Sequence, residues 1–343
     1  MSKTRQRQRL PDRKSKVTVR EVALMADVSE STVSRIMRNQ GLVADATRAR
    51  VMEAVRELGY VPNRIAGSLA SLDSHLVGVV VPSLSNIVFP EVLQGISAGL
   101  RSSHYQAVIS ITDYDVNREE TLVRSILSWQ PAAILITGFD HTMATRKMLD
   151  QSGVRVIEMM DIDSAPIDAA VGMSHRRAGL AAGQHLIARG YRRFGYVGHD
   201  WNADRRARLR YDGLSEALSE AGLSFVAHAV GDGQSSVAMG RGQTAQLLAQ
   251  SDVDVAVYSN DDMAVGGIFH CMEAGIAVPG ALGIFGFNGL EIGRDLPQPL
   301  STIRSNRFMI GQHAIELFLQ SPDRPDTPTI IDTGFEVFTG ATA

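Results

Sequence analysis

The sequence predicts an α/β protein, with a short all-helical head in front of a larger body of parallel sheets covered by helices. Three observations carry this. Residues 1–72 hold three amphipathic helical stretches and a basic excess, 14 Lys and Arg against 7 Asp and Glu. From Leu76 onward, apolar runs of strand length alternate with helical patterns, as in βα units. The alternation restarts near residue 175, so the body reads as two blocks of about 100 residues each.

Composition sets the outer limits. The 343 residues are 44% hydrophobic and 21% charged, ordinary for a globular chain and unlike a disordered or fibrous one. No apolar run is long enough for a membrane span, so no membrane partner is expected. The first 16 residues carry seven Lys and Arg, one Asp and no apolar stretch. They read as a disordered basic arm and not as a secretory leader, which makes the cytoplasm the expected compartment. A single cysteine, Cys271, excludes a disulfide framework, and the nine histidines show no metal-ligand spacing. Neither a metal nor a cofactor is expected. Residues 73–343 hold 20 basic and 30 acidic residues, so a basic head sits on an acidic body. That asymmetry fits a nucleic-acid-binding module joined to something else.

The head resolves into three helices. Thr18 followed by Glu21 forms a capping box, and Val22, Ala23 and Ala26 make one apolar stripe. Asp27-Val28-Ser29 is a tight turn, where Asp tolerates left-handed backbone. Ser29 caps a second helix whose stripe is Val33, Ile36 and Met37, leaving Glu30, Ser31, Ser34, Arg35 and Arg38 on a polar face. A third helix, about 45–58, buries Val51, Ala54, Val55 and Leu58. Two short helices across a tight turn, braced by a third, form a helix-turn-helix. Hydroxyls on Thr18, Ser29, Thr32 and Ser34 suit DNA phosphates, and Arg35 and Arg38 suit guanine edges.

The stretch VTVREVALMADVSESTVSRIMRNQGLVADATRARVMEAVRELGYVPNRIAGSLAS resembles the N-terminal module of the LacI/GalR family without a gap. The resemblance implies that Glu30, Ser31 and Arg35 read bases. Arg38 stands where many members have Asn. Asn63 to Leu69 would be the hinge helix, with Leu69 wedged into a central minor-groove step of the operator. It also implies a periplasmic-binding-protein-like core of two subdomains, joined by three crossovers, with an effector in the cleft. The expected organisation is an arm (1–16), a DNA-binding domain (17–62), a hinge (63–73) and a core (74–343). Within the core, 74–174 with 304–322 would form one subdomain, and 175–303 with 323–343 the other.

In open α/β sheets ligands sit at the carboxyl ends of strands. Expected strands are 76–82, 106–111, 132–137, 154–159, 193–198, 254–259 and 282–287. The residues that follow them are therefore the effector candidates. Ser83, Asn86 and Phe89 follow the first strand and suit a polyol. Thr137 follows the third, and Glu158 and Asp161 the fourth. Arg210 lies in ARLRYDG and matches the family's cleft arginine. Asn260 matches N-D-x-x-A-x-G, with Asp261 expected to cap the next helix. Asn288 replaces the Asp of many sugar-binding members, and Arg307 replaces an apolar or aromatic residue. An Asp lost and an Arg gained make the cleft more cationic, so Arg210 and Arg307 would clamp a carboxylate. Pairing of Arg307 with Glu158 or Asp161 is the alternative. PSLSNIVFPEVLQGI, SILSWQPAAILITGFDHT and EMMDIDSAPIDAAVG resemble the gluconate-utilisation repressor branch.

The expectation is a homodimeric repressor that binds double-stranded operator DNA and answers to a sugar acid, gluconate or a ketogluconate. A regulator of a neutral sugar or purine, or a sugar-binding protein with no DNA role, is the alternative. No nucleophile–base pattern and no lysine-bearing phosphate loop supports an enzyme. G-R-G-Q-T-A at Gly240 follows no strand and is discounted as a dinucleotide site.

Overall fold

The computed structural model describes residues 17–37, 42–61, 74–201 and 204–343. The chain divides into two compact units, residues 1–73 and 74–343.

In the first unit, α1 (Val19–Met25) begins at Thr18 with the expected capping box. The Thr18 N–H donates to the Glu21 carboxylate at 2.6 Å, and Thr18 Oγ1 accepts from the Glu21 N–H. Asp27 turns the chain in the left-handed region (φ 51°). Helix α2 (Glu30–Met37) starts where Ser29 Oγ accepts the Thr32 N–H at 3.2 Å. Helix α3 (Asp45–Leu58) stops at Gly59 (φ 62°). Val22, Ala23, Ala26, Val33, Ile36, Val51 and Ala54 close a core between the three helices.

The second unit runs β1 (Leu76–Val81), α4 (Val88–Leu100), β2 (Gln106–Ile111), α5 (Val116–Leu127), β3 (Ala133–Thr137), α6 (Met143–Gln151), β4 (Arg155–Asp161) and β5 (Ala169–Met173). It continues with α7 (His175–Ala188), β6 (Phe194–Gly198), α8 (Arg205–Glu220), β7 (Phe225–Val230), α9 (Val237–Gln250), β8 (Val255–Tyr258), α10 (Asp261–Ala274), β9 (Gly283–Asn288), α11 (Glu291–Arg294) and β10 (Ser301–Ser305). Helix α12 (Arg307–Gln320), β11 (Thr329–Asp332) and β12 (Phe335–Phe338) complete it. Two six-stranded sheets result, ordered β11-β5-β4-β3-β1-β2 and β12-β10-β9-β8-β6-β7. Every pairing is parallel except β10 with β12.

The chain passes between the sheets after β5, after β10 and after β11. The last crossing lies beyond the expected hand-over at 323, because β11 joins the edge of the first sheet beside β5. TIID is short and half-exposed, so it lacks the apolar run that marks a buried strand. The sequence reading also omitted β5, β7, β10 and β12. AAVGM of β5 is fully buried but made of small residues, which mutes its strand signal.

Alternation along each strand splits the first subdomain into two layers. Val77, Val79, Leu135, Ile157 and Met159 pack with Phe89, Val92 and Ile96 of α4 and Ile310, Ala314 and Phe318 of α12. Val80, Ile134, Ile136 and Val156 pack with Val123 and Ile126 of α5 and Leu149 of α6. Glu158 alternates onto this second face, so it points away from the expected effector site. There it meets His141, whose Nδ1 lies 2.8 Å from Glu119 and Nε2 3.5 Å from Glu158. Burial alone lowers the His141 pKa, but hydrogen bonds and charge from Glu119 and Glu158 outweigh it and raise it to about 9.

Glycines set the closest helix contacts. A Cβ on Gly179 of α7 would lie 1.9 Å from the Arg210 carbonyl oxygen, and one on Gly213 of α8 would lie 1.9 Å from that of Arg176. Gly240 does the same for α9 against Met263 of α10, a packing role that agrees with discounting it as a dinucleotide loop. Cys271 is core, as expected, and burial pushes its thiol up to about 11.

Gly179→Ala is expected to lower unfolding free energy by about 2–3 kcal/mol through overpacking, read as the urea midpoint of the full chain. Gly242→Ala, with open space around it, should raise it by about 0.5–1 kcal/mol from helix propensity. A histidine raised from 6.5 contributes its full stability below that pH and loses it as pH rises through about 9. Wild-type protein should therefore lose about 2–3 kcal/mol more than His141→Gln across that window. Parallel pH curves of urea midpoint for the two proteins would contradict this.

Candidate functional site: a cationic cleft

The loops after β1, β3 and β4 meet the start of α8 and the loops after β6, β8 and β9. Ser83 is buried, and its Oγ accepts the N–H groups of Ser85 and Asn86 at 3.1 and 3.3 Å. Asn86 donates to the Tyr114 hydroxyl at 3.0 Å and accepts the Val88 N–H. Both residues thus brace the loop into α4. Phe89 is fully buried, with the Arg206 guanidinium 5.7 Å from its ring centroid. Thr137 Oγ1 donates to the Val80 carbonyl at 3.2 Å. Glu158 accepts the Ile167 N–H within the His141 cluster.

Four arginines dominate. Arg205 crosses from the second subdomain to the first, reaching Asp161 at 3.4 Å, Asp140 at 3.7 Å and Ser164 Oγ at 3.0 Å. Asp161 is buried, which raises its carboxyl to about 6. Arg307, 4% exposed, directs its fork to Glu91 at 2.9 and 3.0 Å, and donates to the Asn288 carbonyl and to Ser305 Oγ. The expected Arg210/Arg307 clamp therefore has one arm already engaged. Its partner is Glu91, in the first turn of α4, not Glu158 or Asp161. Asn288 ends β9 with φ 123°, and its backbone carbonyl is what meets Arg307.

Arg210 is different. Its NH2 donates to the Ser259 carbonyl at 2.9 Å, its NH1 lies 3.2 Å from His175 Nδ1, and its plane covers the Phe287 ring at 4.1 Å. No carboxylate among the described residues lies within ion-pair distance of it, and its buried Nε has no hydrogen-bond partner. Burial pushes its pKa down, a direction that favours gaining an anion.

Arg206, four residues earlier on the same helical face, was missed by the sequence reading. Its Nε contacts Asp204 at 3.4 Å. Its two terminal nitrogens have no hydrogen-bond acceptor among the described residues. Asp204 caps α8 by accepting the N–H groups of Arg206 and Ala207. Burial would raise Asp204, but Arg206 and His199 outweigh it and hold the carboxyl well below its usual range. The repeated RRARLR spacing was the available signal, yet only contact with Phe89 shows that Arg206 faces the cleft.

Asn260 Oδ1 caps α10 through the Met263 N–H at 3.1 Å, and Nδ2 donates to Ser235 Oγ at 2.7 Å. The cap expected of Asp261 belongs to Asn260. Asp261 is instead buried, accepting from the Leu290 N–H and from Thr302 Oγ1, both at 2.7 Å. Burial raises it to about 6.

Unexpectedly, Ser259, His199 and Asp204 line up. Ser259 Oγ lies 2.9 Å from His199 Nδ1, and His199 Nε2 lies 3.4 Å from Asp204. Ser259 is 2% exposed and its hydroxyl donates to Met263 Sδ. This places it as a strut behind the arginines, not as an accessible nucleophile. The cleft thus offers two cationic forks stacked on aromatic rings, an arrangement suited to a small anion.

On the head, Glu30, Ser31 and Arg35 are exposed on α2, and Thr32 and Ser34 are half-buried. Thr18 and Ser29 are exposed at the helix starts, where their hydroxyls also cap. Arg38, Asn63 and Leu69 lie outside the described residues.

Residues 18–63 match the family described as bacterial regulatory proteins, lacI family, and residues 184–337 match the periplasmic binding protein-like domain. The HTH-type transcriptional regulator GntR of Pseudomonas aeruginosa is 41% identical over 324 residues, which cover 93% of this chain and 94% of the relative. The crystal structure of a LacI family transcriptional regulator from Silicibacter pomeroyi is 44% identical, with a TM-score of 0.90 over 95% of this chain and 99% of that one. The Lac repressor dimer bound to operator and the anti-inducer ONPF shares the fold at 24% identity, with a TM-score of 0.84 over 96% and 99% of the two chains. By its helix-turn-helix head, its two-sheet core and this likeness along nearly its whole length, the chain belongs to the LacI family of bacterial transcriptional regulators.

Proposed function

We propose that this protein is a cytoplasmic, homodimeric repressor whose hold on operator DNA is set by a sugar acid, gluconate or a ketogluconate, in the core cleft. One observation carries the effector class: Arg210 has no carboxylate partner beside an Arg206 whose terminal nitrogens are open. A carboxylate would complete both, and bidentate pairing would orient it. Phe89 and Phe287 back the Arg206 and Arg210 guanidinium groups, while Ser83, Asn86, Thr137, Asp161, Asn260 and Asn288 would line the approach with polar atoms. Arg307 serves this reading as a tie between Glu91 and Asn288, not as a second clamp. Glu158 has no part in it.

The DNA reading rests on the exposed α2 face, with Glu30, Ser31 and Arg35 toward base edges and Thr18, Ser29, Thr32 and Ser34 toward phosphates. Arg38, Asn63 and Leu69 would add a base contact and the hinge. A two-fold operator calls for a two-fold protein. Phe269 and Met272 of α10 and Ile292 of α11 are apolar and exposed in the single chain, and a second copy would cover them. An effector moves such a system only through different affinity for its two states.

Calorimetry on the full chain with gluconate, 2-ketogluconate, galactose and a purine tests the effector. Binding of the acids alone is expected. Arg210→Met should weaken it by about 10–100-fold, the loss of a charged hydrogen-bond pair, with Arg206→Met between that and wild type. Binding of galactose or the purine in place of the acids removes the sugar acid and leaves the DNA reading intact, and acid binding that survives both substitutions removes Arg206 and Arg210 as its site. Met272→Glu should shift the protein from dimer toward monomer in sedimentation. An unchanged dimer would move the interface elsewhere.

A further inference from the structure

His175 is the first residue of α7, where the chain has just left the first sheet for the second. It is buried, 4% exposed. Its Nδ1 lies 3.2 Å from Arg210 NH1 and its Nε2 lies 2.9 Å from the Met160 carbonyl oxygen at the end of β4. A guanidinium only donates and a carbonyl only accepts. One imidazole satisfies both partners in one way: neutral, with the proton on Nε2 and the lone pair of Nδ1 toward Arg210. The surroundings agree. Burial, with Arg210 and Arg206 adding to it, holds the His175 pKa well below its ordinary value. Lys or Arg at 175 could not accept, and Asp or Glu could not donate.

Arg210 also touches the second subdomain through the Ser259 carbonyl, the Phe287 ring and the tight backbone contact at Gly179. Among the described residues, the His175 bridge alone ties its guanidinium to a strand of the first. Met160 also carries a left-handed φ of 80°, so its carbonyl direction is set by an irregular end of β4, next to Asp161.

We propose that His175 is the positioning residue of the anion site, aiming Arg210 into the cleft and linking its placement to β4 of the first subdomain. This rests on the effector reading above for its ligand and on the bridge alone for its geometry. When Arg210 takes a carboxylate, its NH1 bond to His175 is strained or renewed, and the Met160 carbonyl feels the change. Ligand binding is thereby coupled to the setting of the two sheets.

The test uses full-length wild-type protein, His175→Leu and His175→Gln, with sodium gluconate as probe. Leu fills the space without hydrogen bonds, and Gln restores a donor and an acceptor. His175→Leu should bind gluconate about tenfold more weakly, and His175→Gln should recover to within about threefold of wild type. Imidazole ¹⁵N spectra of the wild type should show His175 as the Nε2–H tautomer with or without gluconate. Leu and Gln variants that are equally impaired, Leu binding like wild type, or an Nδ1–H or doubly protonated His175 would each overturn the proposal. Wild-type protein that binds no gluconate would end the sugar-acid reading without touching this one. The tautomer, and amide exchange of residues 158–162 faster by about tenfold in Leu than in Gln, then decide it.

Discussion

The contact between α7 and α8 is the constraint on which the cleft depends. Gly179 and Gly213 let the two helices approach until each glycine lies against a backbone carbonyl of the other, those of Arg210 and Arg176. Helices held at that distance cannot rotate about their axes without a clash, because interiors are packed like solids. The first turns of α8 are therefore delivered at one angle, and with them Arg205, Arg206 and Arg210. The placement of Arg205, Arg206 and Arg210 in the cleft thus follows from the packing of α7 on α8.

The cleft then sorts its cations by what already holds them. Arg205 and Arg307 face Asp161 and Glu91, so they act as ties within the core. Arg206 and Arg210 are left with Asp204 at the side and aromatic rings beneath. Asp204, His199 and Ser259 form a hydrogen-bonded wall that steadies both. A cation stacked on a ring and bonded to carbonyls keeps its charge available, whereas one in a bidentate ion pair does not. This distinction explains why Arg307, held by Glu91, is a tie and not a second open cation.

The two units obey different physical demands. The head is small, and among its described residues the core is seven buried side chains between three helices. Its stability leans on caps and a tight turn, which leaves one face of α2 free to be polar. The core is large enough to bury two layers on each sheet and still keep ionisable groups inside. The Glu119–His141–Glu158 cluster and the Asp261 brace are examples of burial compensated by hydrogen bonds. Both sit next to loops that shape the cleft, so rigidity there serves the site.

By itself the sequence determined the helix-turn-helix, down to the Thr18 capping box, the left-handed Asp27 and the buried stripes. It also determined the alternation that makes two parallel sheets. These are local properties, set by residue periodicity and by hydrogen bonds spanning three or four residues. The family resemblance pointed to Arg210 and Arg307 as cleft residues, and the sequence assigned Glu158 to the cleft and a cap to Asp261. Tertiary structure alone decided that Glu158 points to the α5/α6 layer, that Asn260 takes the cap, that Arg307 belongs to Glu91, and that Arg206 and His175 join Arg210. A single residue's shift in strand register reverses which face a side chain occupies. An ion pair between residues 216 positions apart leaves no local trace. Which carboxylate meets which arginine is a fact about folded distance, and no periodicity encodes it.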